Sequence, residues 1–165
     1  MTDEASAETN EKEGTFLVTA ADAESAVLTD VDDGQVHALS TNPGVERWEA
    51  VVGRVAPDPP LDLSWQLVSV EERWSVGVGE SDESPTALAR DLAADQSVGE
   101  LTRRERAGTG EVHVLTVPED ADATADAVAD VLDDDEGLRT RAARLGVARV
   151  ELRSEPGVVS VRYLP

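Results

Sequence analysis

The sequence predicts an α+β protein. An N-terminal small antiparallel β-barrel-like region, OB-like or SH3-like, precedes a C-terminal sheet-and-helix region of order ββααββ. Three observations lead there. Short β-rich runs separated by turn signals fill residues 14–80. Apolar stripes at helical spacing are confined to a few segments, 85–94, 121–132 and 138–145. Strict alternation returns between 147 and 164. The expected organisation is a disordered acidic tail over 1–13, the barrel-like domain over 14–80, a helical linker over 81–97 and an α+β domain over 98–165.

Composition sets the setting. The 165 residues can bury a real core without staples, and the absence of cysteine excludes disulfides, thiolate metal sites and cysteine nucleophiles. The opening MTDEASAETNEKEG is polar and acidic and carries no apolar h-region. No apolar run is long enough to span a bilayer, so the expectation is a cytoplasmic protein with no membrane partner. Asp and Glu number 35 against 14 basic residues, a net charge of −21, and Lys12 is the only lysine. Such self-repulsion opposes compaction in dilute buffer. At molar salt the Debye length falls to about 3 Å and the repulsion is screened. The acidic surface therefore reads as an adaptation to a salt-rich cytoplasm rather than as a cation-binding face.

The barrel-like region is built from Thr15–Thr19, Ser25–Val31, Gln35–Leu39, Trp48–Ala56 and the long stretch Leu61–Val78. Asp32-Asp33-Gly34 marks a hairpin between the second and third runs, and Asn42-Pro43-Gly44 marks a turn. In Leu61–Val78 the apolar parity changes. Leu61, Leu63, Trp65 and Leu67 share one face, while Val68, Val70, Trp74, Val76 and Val78 share the other. A phase change of this kind requires a bulge, or a strand that leaves one sheet for another.

Next come Ser84 as N-cap and Pro85 at N1, with Leu88, Ala89, Leu92 and Ala93 as the stripe of a short linking helix. Val98–Arg106 carries a capping-box signal but little helical periodicity, and reads as an exposed strand. Gly110–Pro118 is apolar at both parities and reads as an inner strand. Ala121, Ala125, Val128 and Leu132 define one helix; Leu138, Ala142 and Leu145 define another, which Gly146 ends. Val147–Arg153 and Val158–Leu164 form the closing hairpin, with Ala148, Val150, Leu152, Val159, Val161 and Tyr163 inward.

Few residues suggest chemistry. His37 and His113 each sit inside a strand and read as satisfied core histidines, so an enzyme using either is the least favoured reading. No nucleophile-elbow, zinc-protease, Walker or dinucleotide pattern is present, and no cofactor is implied. Asp30–Gly34 resembles a calcium loop, but its glycine falls one position early and the closing glutamate is missing. Asp133–Glu136 reads as a solvated loop between helices. Trp48, Trp65 and Trp74 read as packing residues before stacking platforms.

The arginines run against the acidic background. Arg103, Arg104 and Arg106 form one cluster, and Arg139, Arg141, Arg144, Arg149, Arg153 and Arg162 crowd the end of the chain beside only Glu151 and Glu155. Guanidinium groups bind phosphate or carboxylate with two parallel bonds. Arg103, Arg104, Arg106, Arg141, Arg144, Arg149 and Arg153 are therefore the candidate binding residues, for nucleic acid or for a protein. The competing reading is internal pairing with Asp122, Asp126 and Asp130 or with a partner subunit.

The phrases SAVLTDVDDGQVHALSTNPG, APDPPLDLSWQLVSVEER, TRRERAGTGEVHVLTVP and RLGVARVELRSEPGVVSVRYLP together resemble a family of uncharacterised proteins from halophilic archaea, a domain of unknown function. The resemblance spans nearly the whole chain and brings no site residue with it. The expected function is a non-catalytic binding or adaptor module; a homo-oligomeric structural protein with no external ligand is the alternative.

Overall fold

The computed structural model describes residues 10–165. It is a mixed α+β protein, mostly strand, and divides into two compact units, one ending at Val76 and one beginning at Gly77. Of the expected acidic tail, residues 1–9 lie outside the described residues.

The first unit is a closed barrel of β1 (Lys12–Ala21), β2 (Ala26–Asp30), β3 (Val36–Leu39), β4 (Glu49–Pro57) and β5 (Trp65–Ser75), in the order β1-β2-β3-β5-β4. Closure rests on a single parallel pairing, Leu39 with Trp65. Inside, Phe16, Val18, Leu28, Leu39, Val51 and Val55 form the core, with Trp65 packed against it. β1 starts three residues before Thr15, because the ammonium of Lys12 is drawn to Asp30 and Asp33 at 3.1 and 2.8 Å. The carboxylate of Asp30 also accepts from the amides of Asp32 and Asp33, so the calcium-like run is a hairpin turn. Asn42 likewise closes its turn by accepting from Gly44 and Val45.

The parity change in Leu61–Val78 has two causes. The β4–β5 register slips twice, leaving Val68 and Glu71 as extra residues on β5. The chain then leaves the barrel, and β6 (Gly77–Glu80) joins the other sheet. Leu61 and Leu63 do not share the inner face of Trp65. They stand 72% and 81% exposed in a loop gathered by Asp58, whose carboxylate accepts from Ser40, Ser64 and Gln66.

The second unit is a five-stranded sheet of order β6-β9-β10-β8-β7, with β7 (Leu101–Glu105), β8 (Glu111–Thr116), β9 (Arg149–Glu155) and β10 (Val158–Leu164). Helices α2 (Ala121–Asp133) and α3 (Asp135–Leu145) lie against β9 and β10. The buried parity of those strands, Val150, Leu152, Val159, Val161 and Tyr163, supplies their apolar bed. Helix α1 (Ala87–Ala94) packs on the opposite parity through Ala89 and Ala93 against Val114. Its N-cap is Thr86, which accepts from the amide of Ala89, and not Ser84. In α2 the buried stripe is turned toward Thr124 and Val128, and Ala121 and Ala125 are left exposed. The Thr124 hydroxyl accepts from the amide of Gly157 in the β9–β10 turn and sets that rotation. Among the described residues no helix is long and apolar enough to cross a membrane.

Candidate functional site

Register decides where the arginines go. Residues directly opposite in paired strands point to the same side of a sheet. Arg103 faces His113 and Val161, on the side of α2 and α3; Arg104 faces Val112 and Arg162, on the side of α1. Arg149 and Arg153 share the parity of Glu151, which pairs with Arg162, so they also lie on the α1 side. Arg141 and Arg144 project from α3. The candidate arginines therefore do not share one face.

Two of the seven, Arg141 and Arg153, are bound by carboxylates, though not by those of α2. Arg141 makes a bidentate pair with Glu111, at 3.0 Å to each oxygen. Burial alone would raise the Glu111 carboxyl; hydrogen bonds from His113 and Arg141 outweigh it and hold the group below the ordinary carboxylate range. Arg153 binds Glu151 and Glu83, at 2.7 and 2.6 Å, and Arg162 shares Glu151 at 2.9 Å. Glu151 is depressed in the same way, its two arginines overcoming its burial. Arg139 pairs with Asp135 one turn back, and Arg90 of α1 pairs with Glu155. Arg144 sits in the last turn of α3, where a cation favours the helix dipole. Arg106 donates to the carbonyl of Thr109 within its own turn, at 2.6 Å.

Arg103, Arg104 and Arg149 remain without an ion pair among the described residues. Two of them belong to β7, the edge strand of the sheet. All of β7 except Thr102 is exposed, including Leu101 at 48%. The amide of Arg106 donates to Gly110 across the β7–β8 hairpin. Hydrogen bonding alternates along an antiparallel strand, so Thr102 and Arg104 turn their backbone groups to β8, and Leu101, Arg103 and Glu105 turn theirs outward.

A residue that sequence reasoning missed steadies this edge. The Gln96 amide donates to the carbonyls of Glu100 and Val114, both at 2.9 Å, and its oxygen accepts from Thr102. Thr116 donates to the last turn of α1 at Ala93. No local pattern marks a glutamine for this task, because Val114, the strand partner it ties to Glu100 and Thr102, becomes a neighbour only through β7–β8 pairing. Beside it, a cleft of about 460 Å³ opens between α1 and the sheet, lined by Gln96, Val98, Thr116 and Val158.

Neither histidine is presented to solvent. His37 is fully enclosed in the barrel and His113 is 6% exposed. His113 Nε2 lies 2.8 Å from Glu111, and burial outweighs that carboxylate and lowers the imidazole pKa. Trp65 packs on the barrel core, and Trp48 carries the Arg47 guanidinium 4.2 Å above its ring. Among the described residues no group of His, Asp and Glu is placed to hold a metal ion.

A family model described as a family of unknown function (DUF5812) matches residues 12–154. No curated protein and no solved structure matches the chain.

Proposed function

The chain belongs to DUF5812, a family of unknown function, and from that premise we propose that it is a non-catalytic binding module whose working element is the arginine-bearing edge strand β7. The observation that carries this reading is selective pairing. Arg139, Arg141, Arg153 and Arg162 have carboxylate partners, whereas among the described residues the exposed neighbours Arg103 and Arg104 have none. Of the seven arginines singled out in the sequence, Arg141 and Arg153 then support the fold, and Arg103 and Arg104 face the partner. A protein partner is favoured over nucleic acid. Phosphate binding is driven by counterion release and weakens steeply as salt rises, whereas a peptide can also use backbone hydrogen bonds along a strand edge.

The test uses a capped nine-residue peptide of alternating Thr and Val around a central Glu–Glu pair, titrated at high KCl beside a Lys–Lys version and a single-stranded RNA. Changing Arg103 and Arg104 together to Ala weakens binding of the Glu–Glu peptide about tenfold, since two exposed charge-assisted contacts are worth about 1.4 kcal/mol. Preference for the Lys–Lys peptide, or for RNA, overturns the protein-binding reading.

We read the acidic surface as a halophile's adaptation, with the protein cytoplasmic. On this reading the free energy of unfolding rises steadily as KCl is raised from dilute to molar, because screening removes self-repulsion from the folded state first. A flat or falling dependence, measured by denaturant titration at each salt concentration, removes it.

A further inference from the structure

Resting on that reading, we infer that the partner binds by strand addition: an extended acidic segment of another protein pairs with the open edge of β7 and continues the sheet. The backbone argument comes first. Leu101, Arg103 and Glu105 present unpaired N–H and C=O groups outward from the sheet, and only a second polypeptide in extended form can match that row. Nucleic acid cannot.

The side chains then choose among polypeptides. Arg103 and Arg104 point to opposite sides of the sheet, so an added strand meets one guanidinium on each face. Two adjacent acidic residues, one facing each way, satisfy both. Charged edge residues discourage indiscriminate pairing. Here the same charges exclude basic strands and leave acidic ones admissible. A second copy of β7 is a poor occupant. The antiparallel register that uses all three outward residues sets Arg103 opposite Arg103. At the start of β7, Val98 is 62% exposed and borders the cleft of about 460 Å³ beside α1, which offers room for an apolar side chain of the incoming segment.

The hydrogen-bonding edge can be removed without touching the arginines. Glu105→Pro deletes one outward N–H and leaves the bonds from Thr102 and Arg104 to β8 in place, and proline is tolerated on a strand edge for that reason. It also removes a negative charge, so attraction alone would strengthen binding of the Glu–Glu peptide. Strand addition requires the opposite, a loss of about tenfold or more. With the wild-type chain, N-methylating alternate residues of the peptide abolishes binding on one parity and spares the other. If Glu105→Pro and both methylation patterns leave binding unchanged while the arginine changes still weaken it, strand addition fails and the charge-based reading stands. If the peptide does not bind the wild-type chain at all, both fail. Thermal unfolding of Glu105→Pro checks that the fold is retained, and the methylated peptides probe the same edge without any variant.

Discussion

Gly110→Ala is expected to destabilise the second unit by about 3–4 kcal/mol, combining the cost of a left-handed backbone with that of overpacking. Gly110 holds φ at +108° at the base of the β7–β8 hairpin. A methyl group there would stand 2.0 Å from the carbonyl oxygen of Tyr163 on β10. That neighbour is backbone inside a paired strand, so it cannot swing aside as a flexible side chain would. Relief requires moving β10 or opening the turn that Arg106 closes through Gly110 and Thr109. Gly34→Ala is the control. Its φ is +76° but no atom lies within 4 Å, so only the backbone term applies, about 1 kcal/mol. Equal losses in the two variants, measured by denaturant unfolding, would show that the approach of Tyr163 is not the cause. Because the same turn presents Arg103 and Arg104, peptide binding should fall along with stability in Gly110→Ala alone.

The parts of this structure legible in the sequence are those fixed by neighbours along the chain. Alternation in Val158–Leu164 gives β10 its bounds and the inward parity of Val159, Val161 and Tyr163, though Ser160 and Leu164 are buried as well, and Gly146 ends α3 at φ +73°. The turns at Asp30–Gly34 and Asn42–Gly44 likewise follow from residues within reach of one another. Pairing between distant residues is a different matter. The spacing of Asp122, Asp126 and Asp130 suggests partners for the arginines, yet the partners are Glu111, Glu151, Glu83 and Asp135. Arg141 meets Glu111 across thirty positions because α3 is laid back on the sheet to which β8 belongs. Nothing periodic encodes that meeting. The stripe of α2 is turned by a single hydroxyl, Thr124, bonding a turn 33 residues away. Apolar spacing marks a helix, but one polar contact can choose which side of it is buried. At β7 the sequence shows an arginine-rich strand. Its place at the edge, and which arginines lack partners, follow only from the order of the sheet.

The only lysine in the chain supports the second large expectation: Lys12→Met costs the barrel about 2–3 kcal/mol and alters its response to acid. Lys12 Nζ lies 3.1 Å from Asp30, 2.8 Å from Asp33 and 3.2 Å from Nε2 of His37. Asp30 is 5% exposed, so without the ammonium its charge is left in the barrel wall with only two backbone amides. An ammonium group can only donate, so His37 must accept at Nε2 and carry its proton on Nδ1 as a neutral imidazole. Nδ1 is buried without a hydrogen-bond partner among the described residues, and Phe16 and Trp65 stand nearly perpendicular to the ring at 5.5 and 4.4 Å. Burial first, and then the charge of Lys12, push the His37 pKa down. A histidine depressed in the folded state protonates first in the unfolded chain. Its stabilisation is therefore complete above the unfolded value of about 6.5 and declines as pH falls below it, by up to about 1.4 kcal/mol per unit. His113 is depressed as well, chiefly by burial, so the decline below neutrality carries two protons, well above the pH where carboxylates titrate. His37→Phe should halve that slope. Lys12→Met removes the repelling charge and lets the folded His37 pKa rise toward 6.5, so the decline ends at a higher pH. Unfolding free energies measured between pH 5 and 7 at fixed KCl decide the matter: an identical slope in the wild-type chain and in both variants would mean that His37 does not sit neutral under Lys12.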